Sequence, residues 1–135
     1  NGYADRGDLF EGLSVWEDGR YRQIQGTYPV IFLSFADVKA DNIQDARFQV
    51  KVKISELFDQ NTYLLDSNVL SDNEKDIFKN ITMYMDDALC CSAVNIMCRY
   101  MQRYYNKKVI VLLDEYDTPM QEAYIHGYWD EFTAF

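Results

Sequence analysis

The sequence predicts an α/β fold in which two parallel strands are flanked by helices. Two short runs, residues 30–35 and 109–113, consist almost entirely of β-branched, aliphatic and aromatic residues. Such runs are typical of strands that are covered on both faces. The segments between and after them repeat their apolar residues every three or four positions, which indicates amphipathic helices. Strand, helices, strand and helix in this order predict a parallel strand pair joined by a helical crossover.

The composition indicates one domain and excludes several classes of protein. The 135 residues are 48% hydrophobic and 26% charged, which suffices for one core but not for two ordinary domains. We therefore assign residues 1–135 to one domain. No apolar run approaches the ~20 residues of a membrane span, so no membrane association is expected. The net charge of −9 opposes binding to phosphate backbones, so the sequence does not support a nucleic-acid partner.

Cysteine usage indicates the compartment. Cys90, Cys91 and Cys98 fall in one helical segment, and their odd number and the lack of paired CxxC motifs argue against disulfides and zinc. The start of the chain has neither the basic flank nor the apolar stretch of a signal peptide. We therefore expect a cytoplasmic protein with reduced thiols.

The first strand is predicted over residues 29–36 and the first long helix over residues 41–60. The 28 residues before the strand contain five glycines, so they are predicted to wrap around the domain without regular structure. After the strand, apolar residues follow at steps of three and four. They are Ile43, Ala46, Val50, Ile54, Leu57 and Phe58.

Two more helices are predicted before the second strand. Ser71 and Glu74 have the spacing of a capping box, which predicts a helix over residues 71–85. Apolar periodicity predicts a third helix over residues 87–106. Its acidic start and the two lysines that follow it suit the helix dipole.

The second strand is predicted over residues 108–114, and a last helix from about residue 119 to the end of the chain. Thr118 precedes Pro119, and Gln121 lies three residues after the threonine. This is the pattern of a helix start with a cap, a proline in the first turn and a capping-box partner.

Two carboxylates follow the second strand directly. A strand that is buried on both faces delivers Asp114 and Glu115 to the carboxyl edge of the sheet, where open α/β sheets bind ligands. This is the pattern of a Walker B strand, in which the first carboxylate holds magnesium and the second orients or deprotonates the attacking water. The alternative is a strand that ends in an acidic helix start, since Asp and Glu are favoured there. These two residues alone leave both interpretations open.

Spacing tests two related kinds of site. Phosphatases of the haloacid type place Asp, one residue and Asp after such a strand, whereas Asp114 and Asp117 are three positions apart. That interpretation fails. The run from Asp114 to Asp117 matches the Asp-Glu-x-Asp box of helicases, which gives its first two residues the same metal and water roles. Nothing else in the sequence is typical of a helicase.

Longer strings around both strands resemble the bacterial AAA-ATPase-like family. The string Leu-Asp-Glu-Tyr-Asp-Thr-Pro over residues 113–119 is specific, and residues 28–35 are moderately so. Residues 8–13 and 123–129 resemble the family as well, so the resemblance covers practically the whole chain. It implies an additional-strand P-loop NTPase domain, commonly followed by a PD-(D/E)XK nuclease-like domain.

The resemblance also implies roles and ligands. Asp114 would bind Mg²⁺, Glu115 would act on the attacking water, and Asp117 and Thr118 would surround the metal ligand without contacting the metal. ATP and Mg²⁺ would be ligands of the intact protein. Family members carry a phosphate-binding Gly-Lys-Thr loop ahead of the matching region, whereas no Gly-Lys-Ser/Thr occurs here. We therefore expect the middle of an incomplete P-loop NTPase domain that does not hydrolyse ATP by itself.

Two further hypotheses concern partners and class. The alternative to an ATPase fragment is a degenerate P-loop module that acts as a binding or regulatory scaffold without turnover. A nuclease finds no support, because no strand-borne Asp is followed by a Glu-x-Lys strand. In the resembled fold the second strand is interior, with a neighbour that would come after Phe135. Val109–Leu113 should therefore have a bare edge, and we expect it to pair with a second copy of the chain.

Overall fold

The computed structural model describes residues 4–135, so residues 1–3 of the predicted domain lie outside the description. The described residues form an α/β arrangement of two strands, seven α-helices and two short 3₁₀ helices. In chain order these are a 3₁₀ helix at Gly7–Phe10, α1 Ser14–Glu17, α2 Gly19–Ile24, β1 Val30–Ser34, α3 Ile43–Asp59, a 3₁₀ helix at Thr62–Leu64, α4 Asp72–Asn80, α5 Asp87–Tyr105, β2 Ile110–Asp114, α6 Asp117–Ile125 and α7 Trp129–Thr133. The three helices α3–α5 form the crossover between the strands.

The two strands pair in parallel over their whole length. The first hydrogen bond runs from the Ile110 N–H to the Pro29 carbonyl at 3.0 Å, and the last from the Phe35 N–H to the Asp114 carbonyl at 2.9 Å. This register places Ser34 opposite Asp114. The carboxyl ends of the two strands therefore lie at the same level.

The main core lies between one face of the sheet and helices α3 to α5. Ile31 and Leu33 of β1 are buried on this face. They belong to the same apolar cluster as Phe58 of α3, Phe78 of α4 and Tyr100 of α5. The rings of Phe58 and Phe78 meet edge to face, with centroids 4.8 Å apart. Burial of these large side chains is what holds β1 in place.

The opposite face of the sheet, here called the outer face, is not covered. Val30 and Phe32 of β1 are 39% and 59% exposed, and their register partners Ile110 and Leu112 are 43% and 49% exposed. The expectation that both strands are covered on both faces is therefore wrong for this chain. A sheet that is covered on both faces needs a packed layer on each side, and residues 4–135 supply such a layer only on the face where the helices lie.

β2 is less protected than β1. Every residue of the strand is exposed, including Val111 and Leu113 on the face where β1 is buried. Its only partner strand within residues 4–135 is β1, so the other edge of β2 is bare.

α4 is shorter than the sequence pattern predicts. The helix ends at Asn80 instead of residue 85, and Ile81 leaves the helical conformation with a ψ of 88°. Asn80, Ile81 and Thr82 are weak helix formers. The Asp86 side chain then accepts the Leu89 N–H and begins α5. No helix described in residues 4–135, including the 19-residue α5, is long and apolar enough to cross a membrane.

The segment before β1 is more regular than predicted, since it contains α1 and α2. Neither helix has a buried residue, so both lie on the surface.

The predicted last helix is two helices. Gly127 adopts a φ of +77°, which ends α6 and lets the chain turn into α7. The turn buries Tyr128, whose hydroxyl donates to the Ala40 carbonyl at 2.7 Å. Ala46 of α3 and Ala123 of α6 are buried against the same tyrosine in a second, smaller core. This contact fixes α6, and with it the turn that leads from β2 into α6.

The charge of Glu74 links α4 to α5. Its carboxylate accepts the Ser71 N–H at 2.9 Å, which completes the predicted capping box, and it pairs with Arg103 at 2.7 Å. The pKa of Glu74 is lowered to about 2, mostly by the Arg103 guanidinium and to a smaller extent by the Ser71 N–H.

We expect Glu74→Gln to lose stability at neutral pH but not in acid. A lowered folded-state pKa stabilises the fold above the ordinary value of 4.5, and this stabilisation is lost as the pH falls toward about 2. Because the pair is partly exposed, the difference in free energy of unfolding should be about 1 kcal/mol at pH 7. Urea denaturation at pH 7, 4 and 2.5 measures it.

The control is Glu56→Gln, which removes an exposed carboxylate of α3 that has no ion pair within the described residues. A difference between wild type and Glu74→Gln that stays constant from pH 7 to pH 2.5 would contradict the role of this charge.

Candidate functional site

The carboxyl ends of β1 and β2 form a rigid edge. The Asp114 carbonyl accepts the last hydrogen bond of the sheet, from the Phe35 N–H, so the end of β2 does not fray. Ser34 and Asp114 are register partners. Partners in a parallel pair project from the same face of the sheet, with strands about 5 Å apart. Their side chains therefore stand next to each other on the outer face.

Glu115 turns the chain sharply out of β2. Its φ is +48°, in the left-handed region that costs a residue with a Cβ about 1–2 kcal/mol. The Glu115 carbonyl accepts the Thr118 N–H at 3.1 Å, which closes the turn into α6. Strained backbone of this kind persists only where the surrounding structure imposes it, and it is common at functional sites. The residue predicted to act on water is thus held in an unusual conformation.

The start of α6 differs from the predicted cap. The helix begins at Asp117, and its N-cap residue, Tyr116, makes no side-chain capping bond. Gln121 donates from Nε2 to the Asp117 carboxylate at 3.0 Å instead of completing a capping box with Thr118. The capping box was predicted from spacing alone, and it is not formed because the helix starts two residues earlier than that pattern requires.

The carboxylates at this edge carry uncompensated charge. Asp114, Glu115 and Asp117 are all exposed. Every ion pair found within residues 4–135 involves other acidic residues. Three negative charges without a neighbouring Lys or Arg favour a bound cation.

The oxygen donors at this edge suit Mg²⁺ better than a metal that is held entirely by protein side chains. Within residues 4–135 no three His, Cys, Asp or Glu side chains converge as a metal site. Mg²⁺ does not need such a cage, because it keeps several waters and takes one or two carboxylates together with substrate phosphates. The oxygens of Asp114 and Ser34 are hard donors, whereas zinc prefers nitrogen and sulfur.

An apolar cavity of about 390 Å³ opens next to the edge, between α3, α5, α6 and the end of the chain. Leu113 and Tyr116 line it on the side of β2, and Pro119 and Met120 on the side of α6. No Lys or Arg lines the cavity. It therefore offers phosphate groups no cationic side chain.

A comparison with protein families identifies the chain. The sequence profile of the family described as Predicted AAA-ATPase matches residues 2–135. The chain belongs to this family. The resemblance inferred from the string at residues 113–119 is confirmed. A search of curated proteins and a search of solved structures each found no match.

In this AAA-ATPase family member the structure brings together Asp114 and Ser34, and it places Glu115 in the adjoining turn. Asp117 and Thr118 lie at the start of α6 and make no hydrogen bond to the Asp114 side chain within residues 4–135. The sequence pattern marks Ser34 only as a strand residue. A serine that ends an otherwise apolar strand was the available signal, but its partner on β2 depends on the register.

We expect Glu115→Gly to be more stable than Glu115→Ala by about 1 kcal/mol. Both variants lose the carboxylate, but alanine keeps the Cβ that makes a φ of +48° costly. Chemical denaturation of the two variants measures the difference.

Position 56 in α3 is the matched control, since it is also an exposed glutamate. In that right-handed helix the order should reverse, with Glu56→Gly about 1 kcal/mol less stable than Glu56→Ala. If Glu115→Gly is instead less stable than Glu115→Ala, as expected for the pair at position 56, Glu115 is not strained.

Proposed function

We propose that this chain supplies the metal- and water-binding carboxylates of an ATPase domain. The observation that supports it most is the placement of Asp114 at the last rung of a parallel sheet, with Glu115 in a strained turn directly after it. Carboxyl ends of parallel strands are where open α/β sheets bind ligands. The match to the Predicted AAA-ATPase family supports nucleotide chemistry at this edge.

Asp114 would hold Mg²⁺, with Asp117 and Thr118 around it, and Glu115 would orient the attacking water and accept its proton. Magnesium, when bound, would neutralise the charge of the ATP phosphates. The grip on those phosphates would come from a Gly-Lys-Ser/Thr loop outside these 135 residues, which contain none. The domain would then be a P-loop NTPase of the additional-strand type, with ATP and Mg²⁺ as ligands of the intact protein.

A second candidate is a degenerate module that binds partners without turnover. The apolar outer face of the sheet favours this function, because four large side chains are available there for contact. The cavity beside Leu113, which has no cationic lining, is also compatible with it. The two candidates differ in whether the intact protein hydrolyses ATP, and the first one requires Glu115 for that reaction.

In the intact protein, Glu115→Gln should keep ATP binding and lose most hydrolysis, by about 10²–10⁴-fold, because a positioned base contributes that much. Asp114→Asn should instead weaken the dependence on Mg²⁺. Phosphate release, titrated against Mg²⁺ and ATP, measures both effects.

Glu131→Gln, in the exposed part of α7, is the control for the loss of one carboxylate and should hydrolyse ATP like the wild type. Near-normal turnover by Glu115→Gln would contradict the role of Glu115, whereas ATP hydrolysis that is absent even from the wild-type intact protein would support the scaffold.

We also propose that the chain associates with a second copy through the free edge of β2. Ile110 and Asp114 bond to β1, so in a parallel ladder the N–H groups of Val111 and Leu113 point away from it. No proline or inward charge protects this edge. A twofold axis perpendicular to the sheet would join the two edges in antiparallel fashion.

Val111→Pro should convert the dimer into a monomer, because it removes an N–H of the free edge and leaves the bonds to β1 intact. Val111→Thr keeps that N–H and should remain dimeric. Analytical ultracentrifugation at micromolar concentration measures the mass. A wild-type monomer with slow amide exchange at Val111 would contradict the proposal.

A cytoplasmic location is consistent with these functions and is proposed with them. Cys90, Cys91 and Cys98 are all free thiols in the structure. A reducing compartment keeps such thiols unbridged.

A further inference from the structure

Ser34 is the side chain nearest in the sheet to the proposed metal ligand. It is the last residue of β1 and the register partner of Asp114, the last residue of β2. The two side chains therefore project from the same outer face, on strands about 5 Å apart. Ser34 is half-buried, whereas Asp114 is exposed.

The hydrogen bonding of both groups is incomplete. The Ser34 hydroxyl accepts the Ala36 N–H at 3.5 Å, and within the described residues its own proton has no acceptor. The Asp114 carboxylate accepts no hydrogen bond within residues 4–135. Within the described residues the Ser34 hydroxyl and the Asp114 carboxylate make no hydrogen bond to each other, but their strands are neighbours and hydrogen bonds to charged groups are the stronger ones.

Two other polar groups near this edge are already engaged. The Asp117 carboxylate accepts from Gln121, and the Thr118 N–H donates to the Glu115 carbonyl. Both belong to the start of α6, which follows the strained turn. Ser34 belongs instead to a strand that is anchored in the core through Ile31 and Leu33. A group on a rigid strand can hold a ligand more precisely than one on a turn.

We propose that Ser34 is a positioning residue of this site, whose hydroxyl would donate a hydrogen bond to the Asp114 carboxylate when a metal is bound there and so fix the orientation of that carboxylate toward the metal. The inference rests on the proposed function, because it gives Asp114 a metal to hold. Partners that orient a metal-binding carboxylate typically change metal affinity by about 10–100-fold when they are removed.

The test uses Mn²⁺ alone as the probe, bound to the chain without nucleotide and followed by the EPR signal of free Mn²⁺. Ser34→Ala should weaken Mn²⁺ binding by about tenfold. Ser34→Thr retains a hydroxyl and should keep most of the affinity for Mn²⁺. Ser34→Val has the shape of the threonine variant without the hydroxyl and should not. Thr and Val both suit a strand, so this pair separates the hydroxyl from any effect on folding.

Two controls make the outcomes distinct. Ser92→Ala, on the exposed surface of α5, should bind Mn²⁺ like the wild type. Asp114→Asn should abolish saturable binding. If Asp114→Asn does so while Ser34→Thr and Ser34→Val bind equally well, the role of Ser34 is wrong and the proposed function stands. If Asp114→Asn binds Mn²⁺ like the wild type, or the wild type binds none, the proposed metal site is wrong as well.

Discussion

The parallel register of β1 and β2 is the constraint on which the candidate site depends. One hydrogen bond, from the Phe35 N–H to the Asp114 carbonyl, holds the ends of both strands at one level. Ser34 and Asp114 become neighbours for this reason alone, since they are 80 positions apart in the chain. A shift by one residue would move one of the two side chains to the other face of the sheet. The chemistry at this edge is therefore set by backbone pairing.

The rest of the fold keeps that pairing in place and maintains the strain that follows it. β1 is anchored by Ile31 and Leu33 against α3 and α5, and the turn after β2 is held from the other side by α6. Between these two anchors Glu115 is held at a φ that a glutamate would not choose. Stability from two apolar clusters thus supports an unfavourable conformation at a residue with a proposed chemical role.

The described residues leave one face of the sheet uncovered and one of its edges unpaired. Its outer face presents Val30, Phe32, Ile110 and Leu112 to solvent, and one edge of β2 is bare. Apolar faces and open edges of this kind favour association, because covering them removes apolar surface from water and satisfies backbone groups. The site and the exposed sheet meet at Asp114, so a partner on this face would lie close to the carboxylates.

The sequence by itself determined the class of fold, the positions of both strands, the capping box of Ser71 and Glu74, and the family, because these follow from local patterns and from a specific string of residues. It predicted Asp114 and Glu115 as a pair for the same reason. Only the tertiary structure decided that Ser34 stands next to Asp114, that Glu115 has a positive φ and that one sheet face is open. Each of these depends on contacts between distant segments, and apolar periodicity carries no information about which segments meet.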